Sequence, residues 1–130
     1  MKPPLLFDVH LDLSLNAVEW NRDLRLPLDE VRQSEAHLTE KAGRGRGTVT
    51  LPEMRRAGIG LCVATQLARV EHNAWSPVFG WRSPQQAWAM TQAQRAWYEA
   101  MEEAGEMRQI RDAAGLEAHL AEWTAADGTA

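Results

Sequence analysis

At 130 residues, with 45% hydrophobic and 25% charged side chains, the chain is the size and composition of one globular domain and too short for two ordinary ones. A net charge of −4 gives no reason to expect nucleic acid or an acidic membrane as partner, and the single cysteine, Cys62, excludes an internal disulfide and a metal site built on thiolates. No apolar run approaches the roughly 18–20 residues of a membrane span. Met1-Lys2-Pro3-Pro4 leads into no secretory signal, so a cytoplasmic location is expected.

The first element is an apolar run, Leu5 to Leu13, broken only by Asp8, His10 and Asp12. Such a run suits a strand buried on both faces of a parallel sheet. Residues 14–27 are mixed. Leu28, Val31 and Leu38 suggest a short amphipathic helix ending near Thr39, and the glycines of residues 41–47 read as a loop. Thr50-Leu51-Pro52-Glu53 has capping-box spacing, with Gly58 as the stop. Ile59 to Thr65 reads as a second buried strand, and Arg69 to Trp81 as a long loop. Ser83-Pro84-Gln85-Gln86 opens the clearest helix, with Met90, Ala93, Trp97, Met101 and Ala104 on its inner face and Gly105 at its end. Met107 to Ile110 is expected to be extended. Asp112 then caps a last helix with Leu116, Leu120 and Trp123 inward, and the tail is loop. Alternating strand and helix predict an α/β fold with parallel strands and right-handed crossovers. Two strands make a poor sheet alone, so the pattern matches the beginning of a larger barrel.

His10 and Asp12 carry the candidate chemistry. At i and i+2 on a strand they project to one side, with Cα atoms roughly 6.5–7 Å apart. An imidazole nitrogen and a carboxylate oxygen so placed reach one Zn²⁺ at about 2.0–2.2 Å. Asp8, one step deeper, is placed to orient a ligand as a hydrogen-bond acceptor. A lone His-x-Asp more often marks a satisfied buried pair. Here both groups interrupt an apolar strand, and no Lys or Arg occurs between Lys2 and Arg22 to pair them locally, which favours a cation.

The segment FDVHLDLSLNAVEWNRDL resembles the opening strand of the membrane (renal) dipeptidase family of zinc metallopeptidases, whose pattern is Asp-x-His-x-Asp-Leu; Asp8, His10, Asp12 and Leu13 match it. Residues 48–70 are similar to the family's Thr-rich turn, short helix and glycine-bounded second strand, and AGEMRQIRDAAGLEAHLAEW looks like the stretch before its third strand. The resemblance implies a (β/α)₈ TIM-type barrel, incomplete in this chain and forming a single partial domain over residues 1–130. It implies a dipeptide substrate, two Zn²⁺ in the complete enzyme, and His10 and Asp12 as ligands of one of them. The family's bridging glutamate and remaining histidines lie on later strands, so at most one partial metal site and no catalytic residue fall within this chain. The chain alone is expected to be inactive. The complete enzyme leaves room for a homodimer.

Trp75, Phe79 and Trp81 lie in the loop after the second strand, at the end where a barrel's active site opens; they are candidates for shaping a substrate pocket or a subunit contact, with packing against the barrel rim an equal alternative. Trp88 and Trp97 are expected in the core, and Cys62 as a small buried hydrophobe. His37, His72 and His119 read as ordinary surface or packing residues. Arg44-Gly45-Arg46-Gly47 reads as a solvated flexible loop rather than a phosphate or RNA site. The alternative functions are a stand-alone flavodoxin-like binding or signalling module with an acidic metal pocket at Asp8 and Asp12, and a noncatalytic scaffold. The first of these lacks a late-strand lysine, the only lysines being Lys2 and Lys41.

Overall fold

The computed structural model describes residues 4–70 and 80–125. Strand β1 (Leu6–Leu11) leads into helix α1 (Leu13–Val18), followed by α2 (Leu28–Glu35), α3 (Leu51–Ala57), strand β2 (Ile59–Ala64), α4 (Pro84–Glu103) and α5 (Ala113–Ala125). The two strands pair in parallel, Leu6 opposite Ile59, Asp8 opposite Cys62 and Leu11 opposite Ala64. The protein is thus mixed α/β with a two-stranded parallel sheet, and its crossover passes through three helices.

Local chemistry accounts for most boundaries. Gly58 ends α3 at φ 82°, a left-handed conformation that costs glycine nothing, and the chain turns there directly into β2. Ser83 caps α4 by accepting a hydrogen bond from the Gln86 amide at 3.2 Å. At the other end Gly105, at φ 73°, lets the Glu106 amide donate to the Met101 carbonyl at 2.9 Å and its own amide to Glu102 at 3.0 Å, a complete Schellman closure. Asp112 accepts from the Gly115 amide at 2.7 Å and starts α5 as expected.

Other expectations need correction. β1 ends at Leu11 rather than Leu13, because Asp12 is the N-cap residue of α1 and Leu13 turns into the core, fully buried. Nor is β1 buried on both faces: Phe7 is 53% and Val9 67% exposed. An apolar run encodes a strand able to be covered; here Leu11 packs on the core while Leu6, Phe7 and Val9 stay exposed. Thr50 does not make the expected capping box. Its hydroxyl is buried with no hydrogen-bond partner among the described residues, and Glu53 pairs with Arg56 instead.

Helix α4 turns only part of its expected face inward, Trp97 and Met101. Ala87, Gln94 and Met101 are buried, with Trp97 and Tyr98 packed on the core, whereas Ala93 and Ala104 are exposed. Trp88, expected in the core, is 67% exposed. The inward position of Gln94 has a polar cause. Its amide donates to the Leu67 carbonyl at 2.6 Å, and its oxygen accepts from the Leu67 amide at 2.8 Å, so it stands in for a missing strand neighbour. Met107 to Ile110 joins no strand, because Met107 closes the end of α4 and the Gln109 amide donates to Glu102.

The core lies between α1, α3 and α4, with Leu13, Ala17, Leu24, Leu51, Met54 and Met101 at its centre and Cys62, half-buried, against it. Helix α5, with Leu116, Leu120 and Trp123 half-buried, meets β2 at Gly60. His119 Nε2 lies 2.7 Å from the Gly60 carbonyl, and a Cβ at Gly60 would stand 2.5 Å from the Trp123 ring.

The run Arg44 to Gly47 is not a solvated loop. The Arg44 side chain is 8% exposed and binds Glu35, Glu40 and the Trp20 carbonyl. Glu35 in turn takes two bonds from Arg22, at 3.0 and 2.7 Å, and one from the Gly45 amide at 2.8 Å. The guanidinium groups of Arg22 and Arg44 also lie over the Trp20 ring, 4.4 and 5.4 Å from its centroid. This buried ionic hub fixes the whole segment between α1 and α3.

Candidate metal site

β1 carries His10 to its C-terminal end, and the first turn of α1 fixes Asp12 one residue beyond it. The Asn16 side chain donates to the Asp12 carbonyl at 2.9 Å, which holds the turn. His10 Nε2 and Asp12 Oδ1 are 3.5 Å apart, so the two side chains converge. Their environment is open, with the His10 side chain 70% and that of Asp12 33% exposed. This differs from the satisfied buried pair that a lone His-x-Asp more often represents.

The spacing fits a shared ion. Two donors each about 2.0–2.2 Å from one tetrahedral zinc stand roughly 3.3–3.6 Å apart. A neutral imidazole and a carboxylate are also a donor set that zinc accepts. The set is incomplete: among the described residues, no group of three or more His, Cys, Asp or Glu side chains is gathered as a metal would require. Asp8 accepts the backbone amide of His10 at 2.9 Å, bracing the main chain on which the imidazole is mounted.

Beneath the pair lies a polar cluster that the sequence did not reveal. Thr65, just past β2, donates its hydroxyl to Asp12 Oδ1, and its amide donates to the Leu11 carbonyl at 3.0 Å. The Thr65 carbonyl accepts from Tyr98 at 2.9 Å and from Ser14 at 3.1 Å. Burial pushes the Tyr98 phenol up, against the lowering effect of its bond from Ser14. The Cys62 thiol is likewise pushed up, first by burial and then by the Asp8 charge.

A second carboxylate stands at the far end of α1. Burial pushes Glu19 up, while Lys41 and hydrogen bonds from Trp81 and Gln94 pull it down. Trp81 therefore bonds within the fold, and its amide donates to the Arg69 carbonyl at 2.7 Å. Trp75, Phe79 and His72 lie outside the described residues. His37 is exposed, and His119 packs on β2.

No family model, curated protein or solved structure matches the chain. No described helix is long and apolar enough to cross a membrane.

Proposed function

We propose that this chain is the opening part of a (β/α)₈ barrel of the membrane dipeptidase kind, and that His10 and Asp12 bind one zinc of a two-zinc dipeptidase site. The observation that carries the reading is the 3.5 Å convergence of His10 Nε2 and Asp12 Oδ1 in the open at a strand's C-terminal end, where barrel enzymes gather their catalytic groups. The exposed apolar side chains Leu6, Phe7 and Val9 support it, since a barrel strand needs cover that these residues lack here. Bound zinc would supply a water of lowered pKa and charge stabilisation for the tetrahedral oxyanion. His10 and Asp12 would hold that ion in place, and Asp8 would stiffen the strand end that presents the imidazole.

The test is zinc-dependent hydrolysis of a dipeptide panel by the 130-residue chain and by the chain joined to the remaining strands of a barrel. The chain alone is expected to be inactive, because two ligands leave a catalytic zinc short of the usual three. The joined form is expected to be active. Turnover by a soluble monomer of residues 1–130, or none by the joined form, contradicts the reading.

A further inference from the structure

We infer that Thr65 is the positioning residue of the metal site, holding the Asp12 carboxylate in its ligating orientation from the neighbouring strand. The inference rests on the reading of His10 and Asp12 as zinc ligands and adds the group that makes one of them rigid.

A carboxylate one residue past a strand end, 33% exposed, rotates freely unless something holds it. The Thr65 hydroxyl contacts both the Leu11 carbonyl, at 3.0 Å, and Asp12 Oδ1. A hydroxyl has one proton to donate. The Leu11 carbonyl already receives the Thr65 amide, so the hydroxyl proton goes to the charged oxygen, where the bond is stronger. An oxygen of a carboxylate has two acceptor sites, so Asp12 Oδ1 keeps one toward His10.

The anchor is itself immobilised. Its carbonyl accepts from the Tyr98 hydroxyl, and the Ser14 hydroxyl, with one proton to give, lies within reach of that carbonyl at 3.1 Å and of buried Gln94 Oε1 at 3.3 Å. Tyr98 further accepts the Ser14 amide at 3.2 Å, tying the first turn of α1 to α4. The orientation of Asp12 is thus set by a chain of contacts from α4 through β2 to the end of β1. Ligating carboxylates that accept a hydrogen bond from the protein bind metal more tightly because the bond fixes their orientation.

The experiment compares wild type, Thr65→Val, Thr65→Ser, His10→Ala and Asp12→Ala in the 130-residue chain. Zn²⁺ is titrated while the His10 imidazole resonances are followed by NMR, which reads weak as well as tight binding. For His10→Ala, which lacks that imidazole, the Asp12 resonances are followed instead. Thermal unfolding is recorded for each protein. Thr65→Val keeps the shape of the side chain and removes only the donor, so Zn²⁺ affinity is expected to fall about 10–100-fold with little change in melting temperature. Thr65→Ser is expected to restore affinity to within a few-fold of wild type. Unchanged affinity in Thr65→Val, with binding lost in His10→Ala and Asp12→Ala, overturns the inference and leaves the metal reading standing. Equal loss in the Val and Ser variants also overturns it, since the hydroxyl would then not be the operative group. Wild-type affinity in His10→Ala and Asp12→Ala, or no Zn²⁺ response in the wild type, overturns the metal reading and the inference with it.

Discussion

Replacing Glu35 with Gln tests whether the buried ionic hub holds the fold. In the native protein burial pushes the Glu35 carboxyl up, but hydrogen bonds from Arg22, Arg44 and the Gly45 amide outweigh it and lower the pKa from the usual 4.5 to about 2. The side chain is 4% exposed, so solvent screens these interactions little. A depression of that size corresponds to about 3 kcal/mol. Because the folded pKa lies below the unfolded one, this stability is fully present above about pH 4.5 and is lost as pH falls towards about 2. At neutral pH Glu35→Gln leaves Arg22 buried without its carboxylate and Arg44 with Glu40 alone, a change expected to cost about 3–5 kcal/mol. That is a large share of the roughly 5–15 kcal/mol that holds a domain together. Urea unfolding of both proteins from pH 7 to pH 2 measures it. With a slope of about 1–3 kcal/mol per molar, 3 kcal/mol moves the midpoint by about 1–3 M. Other carboxylates titrate in both proteins, so the difference between the two curves isolates Glu35. The expected difference is large at pH 7 and shrinks between about pH 4.5 and 2. A difference near zero at pH 7, or one constant down to pH 2, would refute the role of the hub.

Two further expectations follow from particular contacts. Gly60→Ala should destabilise the protein by about 1–3 kcal/mol, because its Cβ would meet the rigid Trp123 ring at 2.5 Å and Leu5 at 2.6 Å; an unchanged melting temperature would show that α5 does not pack tightly on β2. In the form completed to a barrel, His10→Ala should lower dipeptide turnover by more than about a hundredfold with zinc content reduced, since losing a ligand exceeds the effect of losing a neighbour that orients one. Metal analysis of the purified proteins accompanies the assay, and full zinc with unchanged turnover would remove His10 from the site.

The strands were legible in the sequence because β1 and β2 are compact apolar runs, and the ends of α3 and α4 because glycine and serine act there through local geometry. His10 and Asp12 converge as expected, but for a different reason: Asp12 is the N-cap residue of α1 rather than a strand residue, so strand alternation does not set its direction. What escaped depends on contacts remote in sequence. Glu35 meets Arg22 and Arg44 from 13 and 9 residues away, and nothing in Arg-Gly-Arg-Gly distinguishes a buried clamp from a solvated loop. Gln94 sits on the inner face of α4 because Leu67 presents an unpaired amide and carbonyl there, which hydrophobic periodicity along the helix does not register. Thr65 was read only as the last residue of a strand, because its hydroxyl bond crosses 53 residues to Asp12. The apolar run of β1 revealed its strand character but not its exposure, which depends on what lies beside it.

The position of zinc in crystals of the protein, read from anomalous scattering on the two sides of the zinc absorption edge, tests the His10–Asp12 site most directly. An ion is expected about 2.0–2.2 Å from both His10 and an Asp12 carboxylate oxygen, with the Thr65 hydroxyl still donating to that carboxylate. Zinc bound at other residues, with His10 and Asp12 contacting no ion, would contradict it.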